Sequence, residues 1–273
     1  MIRRPPRSTL DRSSAASDVY KRQIMSDVYL KAWHGGLGDA LQFSTLPEEF
    51  SKQQDRKTYI VADAPFRNEG IYDLVWDKNP YVLGKKFGEW NAGDLPSIPY
   101  REDGFLEENG TRNMISNWEK FHGLQPTNKY PKVYYEPEKD EGVKDLFIVD
   151  FTSTTVSDSK EDVIKCLDQL RNDYSDRKFV SVSFEDITPT KDLSDDIKFD
   201  GYIEVENIFR YCDLISSVYG YVSLHSGGTH LSSALKEYSP NLKSICILSK
   251  EWYNEHEVLD NHFLFDNIEY LKY

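Results

Sequence analysis

The chain has 273 residues, of which 39% are hydrophobic and 29% are charged. These values exclude a membrane-embedded or largely disordered protein, because no run approaches the ~18–20 apolar residues that a membrane helix needs. The 33 basic and 46 acidic residues give a formal net charge of -13, which argues against nucleic acid as the main partner, because phosphate backbones bind basic surfaces.

Residues 1–24 differ in composition from the remainder of the chain. They are rich in Arg and Ser, poor in acidic residues and without apolar periodicity. A mitochondrial transit peptide has a similar composition, whereas a secretory signal is excluded because it needs an apolar core. The segment also resembles the translated sequencing adapter that contaminates gene models from metagenomic assemblies, and we favour this interpretation. We therefore expect a disordered leader over residues 1–24 and a fold that begins at Met25.

From Met25 onward, predicted strands alternate with predicted helices. In the first half, β-rich or apolar runs predict strands at 27–33, 59–62 and 74–76, and apolar spacing predicts helices that lead up to Pro47 and cover 113–121. Residues 84–112 are rich in Gly, Pro and acidic side chains and are predicted to be mostly loop. Three prolines within 125–140 place a domain boundary near 136–144, which gives domains over 25–140 and 141–273.

The second half repeats this alternation. Strands are predicted at 146–151, 179–184, 219–224 and 244–248, and helices at 161–170, 205–217 and 227–235. An acidic loop is predicted at 186–200, and a short helix with a tail at 253–273. Strand–helix alternation in two halves predicts an α/β protein with two Rossmann-like domains, each with a parallel sheet that binds ligands at the carboxyl ends of its strands.

A glycine-rich turn follows the first predicted strand. It contains Gly35, Gly36 and Gly38 and is followed by Asp39. Glycine lets the backbone turn sharply and approach a ligand, and the helix that begins here favours anions at its N-terminus. Only two of the glycines match a dinucleotide-binding fingerprint, so an unliganded turn stays open as an alternative. Asp39 has two interpretations: a carboxylate that caps the first helical turn, or a general base in a glycine-walled cleft.

A second turn, over 225–230, has the outline of a diphosphate cradle. A strand ends at Leu224, two glycines follow, and a helix rich in small residues begins. Backbone amides and hydroxyls at a helix N-terminus suit phosphate oxygens. The predicted ligands are Ser226, Gly227, Gly228, Thr229 and His230. Zinc bound by His225 and His230 is an alternative without a clear third ligand, and His230 also suits a core or capping role.

Three cysteines complete the inventory of reactive side chains. Cys166, Cys212 and Cys246 are scattered, without the spacing of a metal site. An odd, sparse set is typical of buried free thiols in a reducing compartment. The sequence therefore predicts a cytoplasmic protein that has no disulfide framework and no metal site.

Both turns resemble one family. GGLGDALQFSTLPEEF, at 35–50, resembles the N-terminal signature of glycosyltransferase family 9, the ADP-heptose:lipopolysaccharide heptosyltransferases and their relatives. DLISSVYGYVSLHSGGTHLSSALK, at 213–236, resembles the C-terminal signature of that family. The two signatures occur in the family's order, and the resemblance spans most of 25–250. It departs from the family at His225, which occupies the position of an acidic residue and is predicted to contact phosphate as a hydrogen-bond donor.

The resemblance implies a GT-B fold, in which two Rossmann-like domains with parallel sheets face a cleft. It places a glycan or other acceptor hydroxyl on the side of Gly35, Gly36 and Gly38, and a nucleoside-diphosphate sugar on the side of the second turn. Asp39 would be the base of an inverting transfer that needs no metal and no cofactor besides the donor. Phosphate contacts are further implied for the loop after the strand at 146–151 and its flank, at Thr154, Thr155 and Lys160; an exposed lysine at a helix start is the alternative for Lys160.

Two other functions remain open at this point. The first is a catalytically inert GT-B-like module that binds a nucleotide or a glycan. The second, weaker, is a nucleotide-sugar epimerase, which needs further acid and base residues than the motifs supply. The sequence contains no predicted transmembrane segment, and its acidic surface permits at most a weak, local peripheral contact with membranes.

Overall fold

The computed structural model describes residues 27–31, 35–61, 66, 68–86, 113–153, 159–184, 191–194, 197–258 and 264–273. The predicted leader at 1–24 lies outside the described residues, and so do most of the predicted loop at 84–112 and the predicted phosphate ligands Thr154 and Thr155. Of the described helices, none combines the length and the apolar character that crossing a bilayer requires.

The N-terminal half is built on a parallel sheet in the order β1-β2-β3. Its strands are β1 (Val28–Lys31), β2 (Thr58–Val61) and β3 (Val82–Lys86). The described helices are α1 (Leu37–Gln42), α2 (Leu46–Gln54), α3 (Glu69–Tyr72), which continues as a π-helical turn (Asp73–Asp77), and α4 (Met114–Phe121). Parallel pairing and intervening helices give this half the Rossmann-like architecture that the alternation predicts.

One strand prediction for this half was wrong. The run 74–76 is the π-helical turn and not a strand. Leu74, Val75 and Trp76 are all fully buried. Three successive apolar residues also suit a strand that is covered on both faces, and they show no helical period in the sequence. The third strand of the sheet is instead β3, which begins before the predicted loop at 84–112 and extends into it.

The C-terminal half contains a six-stranded parallel sheet in the order β11-β10-β9-β4-β6-β8. These strands are β4 (Leu146–Asp150), β6 (Lys178–Phe184), β8 (Gly201–Val205), β9 (Gly220–Leu224), β10 (Lys243–Leu248) and β11 (Glu269–Lys272). A short antiparallel pair joins β5 (Thr152–Ser153) to β7 (Lys191–Asp192). The helices are α5 (Lys160–Asp173), α6 (Ile208–Ser217), α7 (Gly227–Leu235) and α8 (Lys250–Val258), with a 3₁₀ turn at Glu141–Val143.

Most elements of this half agree with prediction, and α7 has the predicted bounds. The start of the helix predicted at 205–217 was wrong, because α6 begins at Ile208 with Asn207 as its cap, whose side chain accepts a hydrogen bond from the Arg210 amide. Residues Gly201–Val205 form edge strand β8, which was not predicted. The predicted loop at 186–200 contains β7, and the predicted tail contains β11.

The core of this half is the central part of its sheet. Phe147, Ile148 and Val149 of β4 are fully buried, because helices and neighbouring strands surround the strand, as the continuous apolar run predicts. Two sheets of parallel strands interleaved with helices confirm the predicted α/β fold class. The boundary near 136–144 falls in a stretch that is irregular up to the 3₁₀ turn, and it stays a prediction.

Candidate functional site

The two glycine turns, separated by about 190 positions in the sequence, lie against each other in the fold. A Cβ atom on Gly227 would lie 2.9 Å from the Gly38 amide nitrogen and 2.9 Å from Leu37 Cβ. A Cβ atom on Gly38 would lie 3.4 Å from Gly227 Cα and 3.5 Å from His230 Nδ1. The N-terminus of α1 and that of α7 therefore meet at a contact that requires glycine on the α7 side.

The first turn places Asp39 in the opening turn of α1. Gly35 has a φ of 63°, in the left-handed region that favours glycine. The Gly36 amide donates to Asp39 Oδ2 at 3.3 Å, so the carboxylate satisfies an amide that has no partner within the helix. The Asp39 side chain is half-buried. This geometry gives the capping interpretation a specific hydrogen bond, and the role of general base stays a prediction.

The second turn is held by its own side chains. Ser226 Oγ accepts a hydrogen bond from the Gly228 amide at 3.3 Å. Thr229 is buried, and its hydroxyl donates to the Leu224 carbonyl at 2.8 Å and lies 2.9 Å from Ser223 Oγ. In this geometry the Thr229 hydroxyl stabilises the turn, so the feature best placed for an anion is the positive end of the α7 backbone dipole. A phosphate contact by Thr229 stays a prediction.

The two histidines of the turn pack against aromatic rings. His230 Nδ1 donates to the Ser226 carbonyl at 3.0 Å, and its ring contacts Phe265. Burial lowers the pKa of His230, so the ring is neutral at pH 7. The His225 ring lies 4.3 Å from that of Trp252 and 5.7 Å from that of His230. Within the described part of the chain, no group of three His, Cys, Asp or Glu side chains is arranged to hold a metal ion.

Lys160 is the first residue of α5, and the predicted loop with Thr154 and Thr155 precedes it in the sequence. Ser159 caps this helix and accepts a hydrogen bond from the Asp162 amide at 3.4 Å. The Lys160 side chain is half-buried. Because the preceding loop lies outside the described residues, the three predicted phosphate contacts at 154, 155 and 160 stay predictions.

A buried polar cluster beneath the second turn was not predicted. Asp150, the last residue of β4, accepts hydrogen bonds from Tyr211 and, at 3.2 Å, from Tyr221. The two phenol oxygens are 2.6 Å apart. Asp150 Oδ1 accepts from the amide and the hydroxyl of Thr152, at 2.9 and 2.6 Å. The only sequence signal was an aspartate at the end of the otherwise apolar run at 146–150.

This cluster lies directly against Gly228. A Cβ atom on Gly228 would lie 2.0 Å from Tyr221 Oη, 2.8 Å from Tyr211 Oη and 3.2 Å from Asp150 Oδ2. Burial raises the pKa of Asp150, and the hydrogen bonds from Thr152 and the tyrosines act in the opposite direction. Burial also raises the pKa values of Tyr211 and Tyr221, so both phenols stay protonated. Gly228 therefore packs directly against the carboxyl group of Asp150 and the hydroxyls of Tyr211 and Tyr221.

No protein-family model matches the sequence, and no curated protein matches it. Solved structures do match its fold. TibC, a bacterial iron-containing dodecameric glycosyltransferase from enterotoxigenic E. coli H10407, aligns with 13% identity and a TM-score of 0.57 over 89% of this chain and 64% of that chain. A second TibC structure is described as a heptosyltransferase in complex with ADP-D-β-D-heptose.

Two shorter proteins align over most of both chains. A family 9 glycosyl transferase from Veillonella parvula DSM 2008 aligns with 11% identity and a TM-score of 0.57, over 91% of this chain and 86% of that one. The E. coli heptosyltransferase WaaC, solved with ADP, aligns with 11% identity and a TM-score of 0.52, over 90% and 93%. This chain thus spans less than two thirds of TibC, and the likeness establishes a heptosyltransferase-like fold of two Rossmann-like halves.

Proposed function

We propose that the chain is a glycosyltransferase that moves a sugar from a nucleoside-diphosphate donor to an acceptor hydroxyl. The observation that carries this proposal is the contact between the two glycine turns at Gly38 and Gly227. It puts a half-buried carboxylate, Asp39, on an element that packs against the N-terminus of α7. Sugar transfer requires a base for the acceptor hydroxyl and a site that stabilises the diphosphate leaving group, and these two features lie on adjacent elements.

The donor is a nucleoside-diphosphate sugar bound at the start of α7. Its diphosphate lies against the positive end of this nine-residue helix, which stabilises the negative charge. The predicted contacts of Lys160, Thr154 and Thr155 add to this charge. The ligands of the fold relatives, ADP and ADP-heptose, support an adenine nucleotide and a heptose-like sugar as the first donor to test.

In the proposed reaction Asp39 removes the proton of the acceptor hydroxyl. The acceptor oxygen then forms a bond to the anomeric carbon while the bond from that carbon to the diphosphate oxygen breaks, so the configuration inverts. The diphosphate leaves with the bonding electrons, and fixed amides stabilise its charge without reorganisation. No step of this scheme uses a metal ion. The acceptor, a glycan or a similar hydroxyl compound, lies on the side of Gly35, Gly36 and Gly38.

The three cysteines support a proposal about the cellular compartment. Cys166, Cys212 and Cys246 are all buried and free, as the sequence predicts. Free thiols suit a reducing compartment, and we propose that the protein acts in the cytoplasm, where nucleotide sugars are its substrates.

The first experiment is a thermal shift of the full chain with ADP, GDP, UDP, CDP and dTDP in the presence of EDTA. A ligand at roughly 100 times its Kd stabilises a fold by about 2.7 kcal/mol, which corresponds to a rise of several degrees in Tm. We expect one diphosphate to raise Tm selectively and the chelator to leave this rise unchanged. A chain that responds to none of the five does not bind its donor as proposed.

One observation favours a second candidate, an inert nucleotide-binding module. Asp39 already has a structural task, because it accepts the hydrogen bond of the Gly36 amide. Asp39→Asn separates the two functions, since asparagine keeps a carbonyl oxygen for this amide but is not a base. For a transferase, turnover of the sugar nucleotide falls by about 10²-fold or more while ADP affinity is retained. For an inert module, wild type and variant have the same absence of turnover.

A further inference from the structure

The buried cluster of Asp150, Tyr211 and Tyr221 has no part in the reaction described above. All three side chains are enclosed in the C-terminal half, and each has an oxygen within hydrogen-bond distance of the other two. We infer that the cluster positions the Ser226–Gly228 turn for the donor diphosphate, with Asp150 as the residue that holds it together. This inference rests on the proposed function, because it concerns the same diphosphate site.

The first step of the argument is the contact with the turn itself. Gly228 lies so close to the phenol oxygens that no side chain fits between them, and the position of its Cβ is 2.0 Å from Tyr221 Oη. The hydroxyls therefore set how far the first turn of α7 can move toward the sheet. The amide of Gly228 is also the donor to Ser226 Oγ, so the cluster and the helix cap fix the same backbone segment from two sides.

The second step is the link to the strand that follows β4. Asp150 Oδ1 accepts hydrogen bonds from the amide and the hydroxyl of Thr152, the first residue of β5. Across the sheet, Asp150 is paired in register with Ser223, whose hydroxyl lies 2.9 Å from that of Thr229. One carboxylate thus connects the start of β5 to the strand that leads into the turn at α7, where the predicted diphosphate ligands lie.

The third step is energetic. Burying a carboxylate and two phenol hydroxyls costs free energy that apolar side chains of the same size would not require. The surrounding core also contains apolar rings, because Phe184 packs on the Tyr211 ring. If the cluster only filled space, phenylalanine would serve at 211 and 221. The hydroxyls have a use if they fix the position of the first turn of α7, because a preorganised helix end binds an anion without reorganisation.

The test compares Tyr211→Phe, Tyr221→Phe and Thr152→Val in the full chain. Each variant removes one hydroxyl of the network and keeps the shape of the side chain. The matched control is Tyr238→Phe, which removes a hydroxyl that donates to the Val133 carbonyl at 2.9 Å, outside this cluster. The measurements are affinity for pyrophosphate and for ADP by calorimetry, and the free energy of unfolding in urea.

We expect each network variant to bind both ligands roughly threefold to tenfold more weakly, about the effect of one net hydrogen bond. The control variant is expected to bind like wild type even where its stability falls by as much. Asp150→Asn should give the largest loss of affinity among the variants that fold. Network variants that lose only stability, with unchanged affinity for both ligands, overturn the inference. A wild-type chain that binds neither ligand instead overturns the proposed function on which the inference rests.

Discussion

Gly227 lies at the contact between the two glycine turns of the candidate site. We expect Gly227→Ala to destabilise the protein by about 1–3 kcal/mol, as overpacking does in tightly packed regions. The reason is that the new methyl group would lie 2.9 Å from a backbone nitrogen of α1 and from Leu37 Cβ. The two turns must separate, so pyrophosphate affinity should also fall. Urea unfolding and calorimetry on the same samples measure the two effects.

Gly201→Ala is the control for this substitution. Gly201 begins edge strand β8, and its added Cβ would be no closer than 3.9 Å to the side chain of Val180. This variant should lie within about 0.5 kcal/mol of wild type and bind pyrophosphate normally. Equal effects of the two substitutions would show that the α1–α7 contact has no special importance.

At the level of single residues, the sequence predicted what is local and missed what is not. The glycines of both turns and Asp39 were identified because turn and cap signals lie within a few positions. The Asp150 cluster was missed because it joins the end of β4, the middle of α6 and strand β9. Its geometry depends on the pairing of β4 with β9, which has no short-range signal in a single sequence.

At the level of elements, the predictions held where periodicity is strong. Helix α7 has its predicted bounds because Leu224, two glycines and a run of small residues mark its start. The error at 74–76 arose in a π-helical turn whose three central residues are buried, so that an apolar run of three gives no helical period. Strand β8 was missed for a different reason. Its exposure does alternate, with Tyr202 exposed and Val205 buried, but the strand has only five residues, which is too short for a clear pattern.

The joint between α2, α4 and the irregular stretch after it depends on one buried carboxylate. Glu119 Oε2 accepts from the amides of Thr127 and Asn128, at 2.7 and 3.2 Å. Its Oε1 accepts from Thr45 Oγ1 at 3.1 Å and from Asn128 Nδ2 at 2.6 Å. We expect Glu119→Gln to cost about 1–3 kcal/mol of unfolding free energy, because the new amide group must face donors where the carboxylate accepted hydrogen bonds.

Glu141→Gln is the matched control, because the Glu141 side chain is 81% exposed and pairs only with Lys144 among the ion pairs of the described residues. Surface pairs of this kind contribute little, so its unfolding free energy should stay within about 0.5 kcal/mol of wild type. Urea unfolding at neutral pH compares the three proteins. A Glu119→Gln protein as stable as the control would mean that the joint does not need the charge.

At the scale of the whole molecule, alternation in two halves was sufficient to predict two parallel sheets with helices between them. The strand order of the six-stranded sheet was beyond prediction, because β11 and β8 at its edges were not recognised as strands. The same architecture aligns over 93% of WaaC but only 64% of TibC. The candidate site lies where the turn after β1 meets the turn after β9, so its geometry depends on how the two sheets are placed relative to each other, which no single motif specifies.

The response of the whole protein to pH follows from side chains that folding holds neutral. His122, at the end of α4, packs against the rings of Phe50 and Phe121. Its burial, aided by the charge of Arg56, lowers its pKa from 6.5 to about 4. Between these values the unfolded chain binds a proton that the folded chain does not. The contribution of His122 to the free energy of unfolding is therefore fully present above pH 6.5 and is lost as the pH falls toward 4.

Substitution of His122 by Gln should flatten this part of the stability profile. Between pH 6.5 and 4, the free energy of unfolding should fall less in His122→Gln than in wild type. The difference should be at most about 3 kcal/mol, which is the free energy of the pKa shift. Glu48 serves as the internal comparison, because hydrogen bonds from Lys132, Lys52 and Tyr134 outweigh its burial and lower its pKa from 4.5 to about 2. Its contribution is present above pH 4.5 and is lost below it, so Glu48→Gln should change the profile only at lower pH.

Relief of self-repulsion works against both effects. The chain carries a formal charge of -13 at pH 7, and protonation of surface carboxylates reduces the repulsion that opposes the compact state. The absolute stability of wild type is therefore a sum of opposing trends, whereas the difference between wild type and His122→Gln isolates one proton. Urea unfolding across this range measures that difference. Parallel profiles for the two proteins would mean that His122 titrates alike in the folded and unfolded chains.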